Sequence, residues 1–245
     1  MAGVSRRFVE AGYLTPKYML SAHGRSVFSH AVSSFSTYFE TEKFLFVVRE
    51  VANTPDFVRA ECRHLGIVDA KIVVLDATTR GQAETVALGL SGSAVPLMEP
   101  LTIFNIDTFR PKFTFPDFGH ESTDGYLEVF RGEGSNWSYV RPAKHGADLV
   151  AETAEKQPIS NLCCTGLYQF GTAELFHKAY AEYLAEFRAS GEQTELYVAP
   201  MYNLLIRHGL LVRYAVIERD EVIFCGIPAE YEEFCARVNP YASSG

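Results

Sequence analysis

The sequence predicts a layered α/β fold, and two features of its hydrophobic pattern carry that expectation. Short β-branched or aromatic runs alternate with longer amphipathic segments. Three of those runs, FLFVVRE, KIVVLDA and LTIFNID, follow one another with a helical segment in each gap. Right-handed crossovers turn such a strand-helix-strand-helix-strand order into a parallel sheet covered on both faces. A chain of 245 residues is long enough for one large domain of this kind, and folding one buries roughly 70 to 75% of the unfolded surface.

Each element has a local reason. Val27, Phe28, Ala31, Val32 and Phe35 recur at helical spacing after the HGR turn. Thr54 and Pro55 open the next helix, a capping residue followed by a proline that fits the first turn, and Gly66 closes it. Another helix is predicted from Gly81 to Leu90. The middle of the chain changes character: GYLEVFRG, NWSYVRP, ADLVAETAE and LCCTGLYQFG read as strands with no helix between them, so antiparallel pairing is expected. Leu175, Phe176, Ala179, Tyr180, Tyr183, Leu184 and Phe187 then share one face of the clearest helix. ASGEQTE is a turn, YVAPMYNLLIRHG a shorter helix ended by Gly209, LVRYAVI a strand and AEYEEFCARVN the last helix. The stretch from Arg110 to Asp124 is the longest loop, of a length associated with function or mobility.

Composition narrows the classes. Hydrophobic residues at 47% and charged residues at 21% are ordinary globular values. A net charge of −8 disfavours a nucleic-acid surface, so no nucleic-acid partner is expected, although a local basic pocket can still hold a small anion. The apolar runs stop well short of the ~18 residues that cross a bilayer, so no membrane insertion is expected, and the start lacks the apolar core of a cleaved signal. Five cysteines without a C-x-x-C, set in apolar stretches, predict reduced, buried thiols in a cytoplasmic protein. The histidine spacing does not suggest a structural zinc site. Composition is silent on oligomeric state.

Three features point to phosphate chemistry. The opening AGVSRRF joins a small, flexible turn to guanidinium groups, which suits a polyphosphate. Asp107 ends the apolar strand LTIFNID, at the mouth of the sheet where open α/β folds bind ligands. One carboxylate there can hold Mg²⁺ against phosphate oxygens, or it can cap the following turn. Glu155 and Lys156 in ETAEKQPIS supply a hydroxyl acceptor and a phosphate-binding charge, or a surface ion pair.

Taken in order, MAGVSRRF, TRGQAETV, IFNID, WSYV, AEKQPIS with TGLYQF, ELYVAPMYNLLIRHG and CGIPAEYEEF resemble the sugar-phosphate nucleotidylyltransferases of the GT-A-like fold. The likeness is greatest to the small bacterial enzymes associated with capsule and lipopolysaccharide biosynthesis, and it runs over nearly the whole chain. It implies a three-layer α/β/α, Rossmann-like fold with a mixed, mostly parallel central sheet. It also implies a single domain over 1–245, with 1–110 as the nucleotide-binding half and 111–245 as the acceptor-binding half.

By the same resemblance Ala2, Gly3, Ser5, Arg6 and Arg7 wrap the triphosphate, and Lys17 reaches the same oxygens. Gly81, Gln82 and Ala83 lie beside the nucleobase with Arg80 near phosphate; read alone, that segment is simply a helix start. Glu155, Lys156, Thr165 and Gly166 correspond to the pocket for the phosphorylated acceptor. Trp137 and Tyr139 either wall that pocket or belong to the core. The implied reaction transfers a nucleotidyl group from an NTP to a sugar phosphate or similar small phosphorylated acceptor and releases pyrophosphate. Mg²⁺ on Asp107 is the expected cofactor, with Arg7 and Lys17 as catalytic partners. A glycosyltransferase using a nucleotide sugar and an inactive nucleotide-binding homologue are the rivals.

Two departures from the family pattern stand out. The family places an apolar strand ahead of the Met-Ala-Gly, so a first strand is expected upstream of Met1. Many relatives also carry a second metal-binding aspartate just before the glycine that corresponds to Gly226, where this chain has Phe224 and Cys225.

Overall fold

In chain order the strands are β1 (Ser21–Ala22), β2 (Arg25–Ser26), β3 (Lys43–Arg49), β4 (Asp69–Leu75), β5 (Leu101–Phe104), β6 (Thr108–Phe109), β7 (Gly125–Arg131), β8 (Ser138–Pro142), β9 (Val150–Glu155), β10 (Leu162–Phe170), β11 (Val212–Ile217) and β12 (Ile223–Phe224). The helices are α1 (Arg6–Glu10), α2 (Val27–Val32), α3 (Thr54–Leu65), α4 (Gln82–Ser91), α5 (Ala173–Ser190), α6 (Tyr202–Arg207) and α7 (Pro228–Ala236). The structure is a computed structural model that describes residues 1, 3, 5–118, 123–145, 148–191 and 195–237. It divides into two units, one of Met1–Thr78, Asn105–Thr114 and Asp220–Gly245, the other of Thr79–Phe104 and Phe115–Arg219.

In the first unit, β3 and β4 form a parallel ladder from Lys43 opposite Asp69 to Arg49 opposite Leu75, joined by α3, as the sequence pattern predicts. Pro55 lies in the first turn of α3 and Gly66 ends it at φ 77°, a left-handed conformation that suits glycine. Thr54 does not cap through N–H acceptance; its hydroxyl instead donates to the Val51 carbonyl at 2.5 Å. Phe28, Val48 and Val58 are fully buried between these elements. A second knot packs Phe234 of α7 against Phe109 of β6 and His30 of α2, with ring centroids 5.1 Å apart in both pairs.

The opening segment corrects the expectation of a flexible turn. Arg6 and Arg7 lie in the one-turn helix α1 because Phe8 is buried, edge-on to Tyr13 at 5.4 Å and to Tyr231 at 6.3 Å. Burying that ring pins the turn that carries the arginines.

The second unit holds a six-stranded sheet in the order β11-β7-β10-β8-β9, with β5 also paired to β10. The four middle strands pair antiparallel as expected, and β11 joins parallel to β7. The strand β5, expected to continue a parallel run, instead pairs antiparallel with β10, Leu101 opposite Phe170. A period-two pattern encodes which faces are apolar but not the partner or its direction. This sheet is mixed, as expected, and its parallel ladder among the described residues is β11–β7; the β3–β4 ladder of the first unit is the other parallel pairing. Phe170 stacks on Tyr202 of α6 at 4.6 Å and meets Phe176 of α5 edge-on at 5.2 Å, which seats both helices on the sheet.

Cys62, Cys163, Cys164 and Cys225 are buried free thiols, whereas Cys235 is exposed. The exposure of Cys235 corrects the sequence expectation, since α7 turns Phe234 inward and the next residue therefore outward. Among the described residues no helix is long and apolar enough to cross a membrane.

Candidate active site

Asp107 follows β5 in the turn that leads into β6. Its carboxylate is ion-paired to Lys17, which Pro16 introduces into a single 3₁₀ turn, and each of the two side chains is only 20% exposed. Burial, the largest single influence, pushes the Asp107 carboxyl up, but the charge and hydrogen bond of Lys17, a backbone N–H and the chain's amino terminus together hold it below the ordinary value. The carboxylate thus faces a cation supplied by the chain itself, Lys17.

Gly226 approaches the same carboxylate oxygen, Oδ2, that Lys17 engages. Gly226 has no side chain, and a Cβ there would stand 3.3 Å from Asp107 Oδ2 and 3.5 Å from Glu230 Oε2. Cys225 is buried, and its N–H donates to the Asp107 carbonyl at 2.8 Å, so the position of the absent second aspartate is used to fix the backbone of the first. Glu230 brings a carboxylate to the same neighbourhood but spends it on the N–H groups of Gly226 and Ile227, at 2.8 and 3.2 Å. Glu221, near in sequence, turns to Arg110 instead. Among the described residues no three His, Cys, Asp or Glu side chains gather as metal ligands.

The Met1 nitrogen donates to the Val47 carbonyl at 2.7 Å and is close enough to Lys17 and Asp107 to interact with both. The start of the chain and the Lys17–Asp107 pair thus share one neighbourhood. Gly3 and Arg7 are exposed, and Ser5 precedes α1 at φ 48°. Arg6 is exposed and paired with Glu10 at 3.0 Å, so its guanidinium is partly engaged within its own helix. Ala2 lies outside the described residues.

In the second unit the turn Arg80–Gln82 opens α4 and is clamped by Leu196. The Leu196 N–H donates to the Arg80 carbonyl and the Ala83 N–H to the Leu196 carbonyl, each at 2.9 Å. Gly81 has φ 152°, and a Cβ there would lie 2.5 Å from the Leu196 carbonyl oxygen, so close approach of two backbones requires this glycine. Gln82 is half-buried and Ala83 buried. Arg80 engages Glu84, with Nε to Oε1 at 2.9 Å. Its charge therefore has a partner in this form, and the position near phosphate assigned to it by resemblance requires that contact to be exchanged.

Glu155 ends β9 and Lys156 follows it. Glu155 accepts from Ser138, and burial raises its carboxyl above the ordinary range, Ser138 and Lys156 opposing the rise and Glu195 adding to it. Lys156 has φ 55°, an uncommon conformation for a residue with a side chain, and its N–H donates to the Trp137 carbonyl at 2.9 Å. Its ammonium donates to the Tyr197 hydroxyl. The surface-ion-pair reading of Glu155 and Lys156 is not what the structure shows: each turns to a hydroxyl.

Three acceptor candidates have other partners. Tyr139 is fully buried and its hydroxyl donates to the Gly134 carbonyl, which makes it a core aromatic rather than a pocket wall. Thr165 is buried and donates to Glu128 Oε1 at 3.0 Å, beside the bulge that Gly166 makes in β10 at φ 96°. Trp137 is half-buried, edge-on to Phe130 at 5.2 Å. Sequence reasoning did not single out Ser138, Leu196, Tyr197, Glu128 or Glu230. Ser138 lies between the named Trp137 and Tyr139 in WSYV, where a polar side chain beside named ones was the available signal, and Tyr197 lies inside the quoted ELYVAPMYN.

No protein-family model and no curated protein sequence matches the chain. Solved structures do. A nucleoside-diphosphate-sugar pyrophosphorylase from Vibrio cholerae is 51% identical over 97% of this chain and 98% of that one, with a TM-score of 0.91. An inositol-1-phosphate CTP transferase from T. maritima matches at 16% identity over 95% of this chain and 91% of that one, TM-score 0.70. A CTP:phosphocholine cytidylyltransferase from Streptococcus pneumoniae matches at 14% identity over 95% and 94%, TM-score 0.65. The last two establish the fold, and the first, at half identity over almost the whole chain, establishes kinship. Fold and kinship define a nucleotidyltransferase. The chain belongs to the sugar-phosphate nucleotidylyltransferase family.

Proposed function

We propose that the protein transfers a nucleotidyl group from an NTP to a sugar 1-phosphate or a similar small phosphorylated acceptor, releasing pyrophosphate. The observation that carries this reading is the Lys17–Asp107 ion pair packed against Gly226: a fixed cation and a fixed carboxylate, both largely withdrawn from water. In the reaction a phosphate oxygen of the acceptor attacks the α-phosphorus in line. A bond forms between them, the bond to the bridging oxygen breaks, and pyrophosphate leaves with that electron pair. Such chemistry needs few proton transfers and depends on positioning and charge stabilisation.

The roles follow from the side chains. Lys17 supplies positive charge to the phosphoryl oxygens as negative charge builds there, and Arg7, exposed on α1, adds a guanidinium fork for the leaving pyrophosphate. Asp107 is suited to one position on Mg²⁺, because a lone carboxylate together with substrate phosphates is a common way to hold this ion; with Oδ2 engaged by Lys17, that contact would be exchanged or the other oxygen used. Bound there, Mg²⁺ would neutralise charge on the triphosphate. The turn Arg80–Ala83 offers backbone groups to a nucleobase, while Lys156 holds the acceptor phosphate and Glu155 accepts hydrogen bonds from acceptor hydroxyls. The product would be an activated donor for surface-polysaccharide synthesis.

The test is pyrophosphate release by purified protein with Mg²⁺, the common NTPs in turn, and glucose 1-phosphate, mannose 1-phosphate, inositol 1-phosphate and phosphocholine as acceptors. Release with one combination supports the reading. Tight NTP binding with silence across the panel points to an inactive nucleotide binder, and nucleotide-sugar hydrolysis without pyrophosphate points to a glycosyltransferase.

A further inference from the structure

We propose that Tyr197 is the positioning residue of the acceptor lysine, and that the segment Glu195–Val198 ties this lysine mechanically to the nucleotide turn. The inference rests on the reading of Lys156 as the group that holds the acceptor phosphate.

Lys156 is a long, exposed side chain at the end of a strand, and such a side chain loses considerable rotamer freedom when it must hold one place. Its backbone is already committed by the left-handed φ of 55° and the hydrogen bond to Trp137. What fixes its far end is the Tyr197 hydroxyl, which accepts from the ammonium while the nitrogen stands 4.5 Å from the ring centroid. The same hydroxyl is hydrogen-bonded to Glu195. The phenol is thereby oriented with its proton toward the carboxylate and a lone pair toward the lysine, the arrangement that aims an ammonium instead of leaving it to sweep.

The segment that carries Tyr197 is itself held at several points. Leu196 and Val198 are buried. Leu196 exchanges two backbone hydrogen bonds with Arg80 and Ala83. Immediately downstream, the Ala199 carbonyl accepts from the Thr153 hydroxyl at 2.7 Å, and Asn203 pairs with both the N–H and the carbonyl of Thr153 at 2.8 Å. Thr153 belongs to β9, the strand that ends in Glu155 and leads directly into Lys156. One short stretch therefore braces the turn Arg80–Ala83 by its backbone, β9 by its continuation and Lys156 by its phenol. A shift of the nucleotide turn is passed to the acceptor lysine through Leu196 and Tyr197.

The experiment compares wild type, Tyr197→Phe and Lys156→Met in the pyrophosphate-release assay, using the acceptor from the panel above that turns over fastest. Removing one hydroxyl oxygen keeps the ring and its packing. The loss expected for a hydrogen bond to a charged group is about a tenfold rise in the acceptor KM, with the KM for NTP within about twofold of wild type and the melting temperature unmoved, a split that a merely structural role would not produce. If Lys156→Met raises the acceptor KM and Tyr197→Phe does not, the positioning role is overturned while the reading of Lys156 stands. If Lys156→Met leaves the acceptor KM at the wild-type value, or the wild type is silent across the panel, the reading of Lys156 fails and this inference fails with it.

Discussion

Lys17 and Asp107, 90 residues apart in sequence, meet as an ion pair in which each side chain keeps only 20% of its surface exposed. A pair so far withdrawn from water is costly to assemble and costlier to break, because removing one partner strands the other charge. Its retention in a chain that could have filled the space with apolar side chains accords with a role in handling phosphate.

The energetic consequence is measurable by a double-mutant cycle. Asp107→Asn and Lys17→Met should each lower unfolding stability by about 1–3 kcal/mol, whereas the double variant should lose clearly less than the sum. Urea unfolding of the four proteins supplies the cycle, and strict additivity would show that the two groups do not act as a pair.

The pair also sets a pH dependence. The carboxyl of Asp107 titrates below its ordinary value of 3.8, so the folded form binds its proton less readily than the unfolded form. The stability it contributes is complete above 3.8 and is lost as pH falls through the lower folded value. The gap in urea midpoint between wild type and Asp107→Asn should be steady near neutral pH and shrink in acid. A gap independent of pH would mean that Asp107 is not ionised in the pair.

Glu155 has the opposite sign. Its folded carboxyl lies above the ordinary 4.5, chiefly through burial, so its ionisation costs stability as pH rises through 4.5 to the folded value. Glu155→Gln, which keeps an acceptor for the Ser138 hydroxyl, should be as stable as wild type or slightly more so at neutral pH while weakening acceptor binding. Calorimetric melting checks the first part and the acceptor KM the second; a marked loss of stability at neutral pH would contradict the assignment.

Gly81 carries the clamp between Leu196 and the nucleotide turn. Gly81→Ala forces a Cβ to 2.5 Å from the Leu196 carbonyl at a φ that side chains avoid, a change expected to cost about 2 kcal/mol. Because Leu196 adjoins Tyr197, the variant should also raise the acceptor KM although the substitution lies in the nucleotide turn. A variant with altered NTP affinity alone would show that the clamp does not reach Lys156.

The sequence was most informative where a local rule decides the outcome. Pro55 and Gly66 bracket α3 because proline suits a first turn and glycine a left-handed end, and both act within a few residues. The antiparallel direction of β5 was not legible, since alternation marks faces and not partners. Asp107 was singled out by its place at the end of a strand and Lys17 by the family resemblance, but their contact depends on the folded path between them. The same holds for Gly81, whose need for glycine arises from Leu196, and for Tyr139, whose burial only the packed sheet reveals. The helix that carries Arg6 and Arg7 was not legible in what reads as a flexible turn, because it is fixed by the packing of Phe8 against Tyr13 and the distant Tyr231 rather than by its own propensity.

The central claim is that Asp107 serves nucleotidyl transfer, and its most direct measurement is pyrophosphate release by wild type and Asp107→Asn under identical conditions with Mg²⁺, each shown to be folded by circular dichroism. Rapid release by wild type and a loss of about a hundredfold or more in the variant is the predicted result. Equal release by the two folded proteins would contradict it.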